Sequence, residues 1–125
     1  MATVFVVDDE PILHKLYHAI LEREGHSVVA DAYNGVEAVE MYKQMNKKPD
    51  VILMDYRMPL KNGIEATKEI VESDGDTRIV VVSADDTIKE EVIAAGACSF
   101  RLKTFKVEEL IEDIENAMST RTVGA

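Results

Sequence analysis

Asp50-Val51-Ile52-Leu53-Met54-Asp55 sets four apolar residues in a row between two carboxylates, and that run decides the fold. A strand with one wet face alternates apolar and polar residues. An unbroken apolar run means a strand covered on both faces, as in a parallel sheet with helices above and below. Thr3–Asp8 and Arg78–Ser83 read the same way, and the less apolar Ser27–Ala32 and Ser99–Lys103 bring the strands to five.

Helical spacing fills the intervals. Pro11 through Arg23 places Leu13, Leu16, Tyr17 and Ile20 on one side. Pro11 suits a first turn, where its missing N–H costs nothing, and Gly25 suits the exit. Asn34 is the expected N-cap of a helix reaching Met45 and burying Val36, Val39 and Tyr42. Ile64–Ser73, Thr87–Ala95 and Val107–Met118 supply the remaining three. A strand followed by a helix, five times over, implies a doubly wound α/β domain with right-handed crossovers. The domain should occupy residues 1–118, with Ser119–Ala125 as a C-terminal tail or linker stump.

Composition narrows the function. Fourteen basic against 24 acidic residues give a formal charge of −10, which removes the basic footprint a nucleic-acid binder needs. No apolar run approaches the length of a membrane span, and the N-terminus lacks the basic start and apolar stretch of a signal peptide. A cytoplasmic protein that touches neither nucleic acid nor membrane is the expectation. The single cysteine, Cys98, has no cysteine partner and should be a small buried thiol.

In an open doubly wound sheet, ligands sit outside the carboxyl ends of the strands. Those ends carry Asp8-Asp9-Glu10, Asp55, Ser83 and Lys103, while the second strand ends in Asp31 with no evident role. Two carboxylates about 4 Å apart repel by roughly 4 kcal/mol at an effective dielectric of about 20, so such a cluster calls for a cation. A few carboxylates with room for water and phosphate oxygens favour Mg²⁺, with Mn²⁺ or Ca²⁺ as possible substitutes. An aspartate carboxylate can attack phosphorus to form an acyl phosphate. Lys103 and the Ser83 hydroxyl would then meet the charge on the phosphoryl oxygens.

These residues fall into motifs: Val6-Val7-Asp8-Asp9-Glu10-Pro11; Ile52-Leu53-Met54-Asp55-Tyr56-Arg57-Met58-Pro59 with Asn62-Gly63; Val80-Val81-Val82-Ser83-Ala84; and Ala95-Gly96-Ala97 leading to Lys103 and Phe105. In this order and spacing the sequence resembles the receiver domains of two-component response regulators over nearly its whole length, most like the single-domain regulators of chemotaxis and sporulation. The resemblance implies a flavodoxin-like sheet in the order 2-1-3-4-5. It implies that Asp55 accepts the phosphoryl group from a histidine kinase or phosphotransfer protein. Asp8, Asp9, Asp55 and the backbone carbonyl of Arg57 would hold the metal, and Ser83 and Lys103 would contact the phosphoryl group. Ser83 and Phe100 would form the switch, Ile12 and Lys15 would meet the donor, and an unidentified protein would be the downstream target.

Two positions depart from the family pattern. Thr104 follows Lys103 where a proline is usual, and a cis bond before a non-proline residue costs about 2.5–4 kcal/mol, so a trans bond is expected. Phe100 stands where a tyrosine is common, and it lacks the hydroxyl that would anchor either switch position. His14 and His18 are four apart on the first helix without a third ligand nearby in sequence, which favours a solvated or partly buried role; Arg57 and Asp85 are expected to face each other across the site mouth.

Other classes predict other residues. An aspartyl phosphatase would typically carry an acidic residue two positions after its nucleophile, where this chain has Arg57. An interaction module working unphosphorylated draws support only from Thr104 and Phe100. A flavodoxin-like cofactor carrier needs a phosphate loop after the first strand, where Asp8-Asp9-Glu10 would repel the phosphate. The chain is therefore expected to act on no substrate beyond its own acyl phosphate.

Overall fold

The computed structural model describes residues 1–123. Strands β1 (Thr3–Val7), β2 (Ser27–Ala32), β3 (Val51–Asp55), β4 (Ile79–Ser83) and β5 (Ser99–Leu102) alternate with helices α1 (Pro11–Arg23), α2 (Gly35–Gln44), α3 (Gly63–Ser73), α4 (Lys89–Ala94) and α5 (Val107–Val123). All strand pairs are parallel, in the order β2-β1-β3-β4-β5, as the resemblance implied.

The apolar runs divide into two cores because successive strand residues point to opposite faces. Phe5, Val7, Ile52, Met54, Ile79 and Val81 pack with Ala38, Val39, Tyr42, Ile64, Ile70 and Val92 beneath α2, α3 and α4. Val4, Val6, Leu53, Val80 and Val82 pack with Tyr17, Ile20, Leu21, Leu110 and Ile114 beneath α1 and α5. Burying each such aliphatic side chain stabilises the fold by about 1.5–3 kcal/mol. Local signals fix the helix starts. Asn34 accepts the Glu37 N–H at 2.8 Å, and Asn62 and Glu65 form a reciprocal capping box before α3. Gly25, at φ +85°, takes the left-handed turn out of α1.

Several expectations need correction. Leu16 is exposed, because the inward stripe of α1 is His14, Tyr17, Ile20 and Leu21. Tyr17 and Ile20 face inward as read and Leu13 packs against the core's edge, while His14 and Leu21 complete the stripe in place of Leu16. Cys98 is exposed too: Ala97 takes the inward place just before β5. The fourth helix is broken at its start, where Asp85 caps a 3₁₀ turn over Asp86–Ile88 before α4 begins at Lys89. Helix α5 runs on to Val123, so Ser119–Val123 extend a helix where a tail was expected; Gly124 and Ala125 lie outside the described residues. No described peptide bond is cis, so Lys103–Thr104 is trans.

Candidate functional site

Sheet order assembles the site. β1 and β3 are neighbours at the centre, with Val7 opposite Met54, so Asp8, one residue past β1, and Asp55, the last of β3, end up side by side. On the other flank Ser83 lies opposite Leu102, and the Lys103 N–H donates to the Ser83 carbonyl at 2.9 Å. Lys103 reaches back across the rim: its Nζ lies 3.1 Å from Asp55 Oδ1 and 3.5 Å from Asp8 Oδ2. Asp8 and Asp55 are 1% and 5% exposed.

The electrostatics are those of a site with surplus negative charge. Burial, with the neighbouring Asp8 charge, pushes the Asp55 carboxyl up to about 6 against the pull of Lys103. Burial also raises Asp8, against the Glu10 N–H and Lys103, with Asp9 adding to the rise. Burial alone would lower the Lys103 ammonium; the Asp55 and Asp8 charges outweigh it and hold it above its ordinary value. Under the floor, Tyr17 is raised by burial and then by the charges of Asp8 and Asp55. One lysine leaves these carboxylates under-compensated.

The donor set fits a hard cation. Asp8, Asp9 and Glu10 each bring a carboxylate oxygen to within 4.8 Å of the others, with Asp8 buried and the other two open to solvent. An all-oxygen, partly exposed set leaves positions for water, which suits Mg²⁺. Glu10 also steadies Asp8 through the backbone, its N–H donating to Asp8 Oδ1 at 2.9 Å.

The rim is shaped by close contacts. Gly63 starts α3 with its N–H on the Tyr56 carbonyl at 2.8 Å. A Cβ there would come within 2.2 Å of the Asp55 carbonyl oxygen, so only glycine permits that approach. Ser83 is buried, and its Oγ accepts the Asp85 N–H at 3.0 Å; Ala84 beside it is exposed. The Arg57 guanidinium is 3.9 Å from Asp85, facing it as expected. With Asp9, Tyr56, Met58 and Asn62 the two line an open cleft of about 490 Å³. Phe100 is partly buried against the α2–α4 core. Ile12 and Lys15 are both exposed on α1.

The sequence reading missed Asp31. Its carboxylate lies 2.6 Å from His14 Nδ1 and 2.9–3.0 Å from His18 Nε2, and His14 Nε2 donates to the Asp8 carbonyl at 2.7 Å. The signal was present: two histidines four apart face the end of β2, and the strand order brings that end beside β1. His26 is buried, with Nδ1 accepting the Ala2 N–H at 2.9 Å, a structural contact.

The fold thus gathers buried carboxylates, one lysine and a buried hydroxyl at the carboxyl end of a parallel sheet. The response regulator receiver domain family matches residues 4–115, and the chain belongs to that family: it is a receiver domain of two-component signalling. It is 40% identical over 111 residues to the chemotaxis protein CheY of Thermotoga maritima, a match spanning 87% of this chain and 91% of that protein. Among solved structures it superposes on the CheX–CheY–BeF3–Mg²⁺ complex from Borrelia burgdorferi with a TM-score of 0.86 and 27% identity, covering 91% of this chain and 87% of that one. The response regulator TrrA of T. maritima, in complex with Mg²⁺–BeF, gives a TM-score of 0.84 at 29% identity, over 94% and 99% of the two chains. Among the described residues no helix is long and apolar enough to cross a membrane.

Proposed function

We propose that Asp55 is the residue that takes up the phosphoryl group, and that the rim residues divide the remaining work among themselves. The observation that carries this is the contact of Lys103 with Asp55 and Asp8 together, at 3.1 and 3.5 Å, in a buried pocket whose carboxylates are raised. A carboxylate oxygen of Asp55 attacks phosphorus, the bond to the donor nitrogen breaks, and an acyl phosphate is left. Catalysis of this kind is mainly positioning and counter-charge. Lys103 pairs with the phosphoryl oxygens as they leave the donor. Ser83 turns its hydroxyl, now accepting from Asp85, toward another of them, and exposed Ala84 leaves the approach open. Asp8, Asp9, Asp55 and the Arg57 carbonyl would hold Mg²⁺, which supplies further positive charge to the same oxygens.

The donor is a phosphohistidine on a kinase or phosphotransfer protein, met in the cytoplasm across the α1 side, where Ile12 and Lys15 are exposed. In B. burgdorferi a CheY is in complex with CheX, which supports protein partners for this chain as well. The chain turns over no outside substrate: Arg57, 81% exposed, stands where an aspartyl phosphatase would need an acid. Output passes through protein contacts that change as Ser83 and Phe100 respond to the acyl phosphate.

The test is incubation with acetyl phosphate, or with beryllofluoride, in the presence of Mg²⁺. With acetyl phosphate the wild type should gain one hydroxylamine-labile phosphoryl group by mass, with beryllofluoride it should show a Mg²⁺-dependent change in its spectrum, and Asp55→Ala should show neither. A response that persists in Asp55→Ala overturns the assignment.

A further inference from the structure

We infer that His14, held by Asp31, is a positioning residue for the acidic pair: it fixes the Asp8 peptide and so sets where the Asp9 carboxylate points. The inference rests on the metal-holding role proposed above for Asp8 and Asp9.

Asp8 is the first residue beyond β1, so its carbonyl has left the strand ladder, yet the residue is 1% exposed. A buried carbonyl left unpaired destabilises the fold. His14, one turn into α1 and itself buried, answers it. A carbonyl oxygen only accepts, so Nε2 carries the hydrogen of the 2.7 Å bond. The other ring nitrogen is 2.6 Å from Asp31 Oδ1, and the ring lies against Tyr33 with centroids 4.3 Å apart. Asp31 is in turn held from outside by His18 Nε2, at 2.9 and 3.0 Å from its two oxygens. On the opposite side of the same residue, the Asp8 N–H donates to the Ala32 carbonyl at 3.1 Å.

The peptide linking Asp8 to Asp9 is thus tied by its carbonyl to a ring that two further contacts orient. Its rotation would swing the Asp9 side chain relative to that of Asp8. A hydrogen bond to the group that carries a metal ligand orients that ligand without touching the ion, and losing such a bond typically weakens metal binding 10- to 100-fold.

The experiment is calorimetric titration of the full chain with magnesium chloride, without any phosphodonor, alongside thermal unfolding. His14→Phe keeps a ring against Tyr33 but has no donor, and it should weaken Mg²⁺ binding by about 10-fold or more. His14→Arg restores donors that can span the Asp8 carbonyl and Asp31, and should return the dissociation constant to within about threefold of wild type. Asp31→Asn, which loosens the ring without removing it, should fall between, and it carries the comparison if His14→Phe does not fold. A purely structural role for His14 would lower the melting temperature and leave the Mg²⁺ dissociation constant alone. Unchanged Mg²⁺ affinity in His14→Phe, or in Asp31→Asn, overturns the inference and leaves the proposed site intact, as does an equal loss in His14→Phe and His14→Arg. Wild type that binds Mg²⁺ no better than Asp9→Asn overturns the reading of the site, and the inference with it.

Discussion

Replacing Asp55 by asparagine should make the metal-free protein more stable near neutral pH, although it destroys the phosphoacceptor. The folded protein raises this carboxyl from 3.8 to about 6, chiefly through burial and the Asp8 charge. At about 1.4 kcal/mol per pH unit, keeping Asp55 ionised above pH 7 costs the fold about 3 kcal/mol. That figure already nets in the attraction of Lys103, but an amide meets Lys103 less well than a neutral acid does, since its NH₂ faces the ammonium as a second donor. The net gain should therefore be about 1–3 kcal/mol, or about 4–12 °C in melting temperature for a domain of this size. The sign follows from proton uptake. Between the unfolded value near 3.8 and the folded value near 6 the native state binds more protons. Asp55 therefore favours folding most at low pH, and that contribution is lost as pH rises from about 4 to about 6. The assay is urea unfolding of wild type and Asp55→Asn in EDTA at pH 7.5 and at pH 4.5, and again at pH 7.5 with saturating Mg²⁺. The gap should be open at pH 7.5, shrink to about a third of that at pH 4.5, and narrow with Mg²⁺, which stabilises the wild type by binding its native state. An asparagine variant equal to or less stable than wild type at pH 7.5 in EDTA would refute the reasoning.

Three further outcomes are expected. Gly63→Ala, which drives a Cβ to 2.2 Å from the Asp55 carbonyl oxygen, should lose about 3 kcal/mol in urea unfolding and slow acetyl phosphate uptake together; a variant of wild-type stability would show that the loop yields freely. Arg57→Ala should speed loss of the phosphoryl group only modestly, because the exposed Arg57–Asp85 pair at 3.9 Å would shield the acyl phosphate from water but is weak; an unchanged decay rate would show that the pair does no shielding. Phe100→Tyr adds a hydroxyl worth about 1 kcal/mol to whichever position it can anchor, so beryllofluoride should change amide exchange around β4 and β5 more than in wild type. Identical exchange changes in the two proteins would show that the ring alone sets the switch.

How much of this could be read in advance follows a physical line. The uninterrupted runs Val51–Met54 and Ile79–Val82 identified a parallel sheet because burial on both faces leaves no polar residue to interrupt a strand. The carboxyl-end residues Asp8, Asp55, Ser83 and Lys103 were legible because topology gathers all strand ends onto one rim. Misreadings came where tertiary packing decides between neighbouring positions. Leu16 looked like core and lies outside, because the helix turns His14 inward to meet a carbonyl that sequence does not display. Cys98 looked buried, and a one-residue shift at the entry to β5 put Ala97 in its place. Asp31 was passed over because its partners lie 13 and 17 residues away on another element. Helix α5 outlasted its apolar period because the backbone hydrogen bonds of a helix do not depend on that period.

The parallel arrangement also settles where the first strand starts and the last helix finishes. Every strand begins at the pole opposite the acidic rim, so Met1, just ahead of β1, leaves the sheet there. Helix α5 starts near the rim after β5 and returns antiparallel to the strands, so it finishes at that same far pole. Both of these points lie away from the pocket, and neither crowds its mouth. This geometry separates two poles of the domain: one where β1 starts and α5 finishes, the other where it would be charged and discharged.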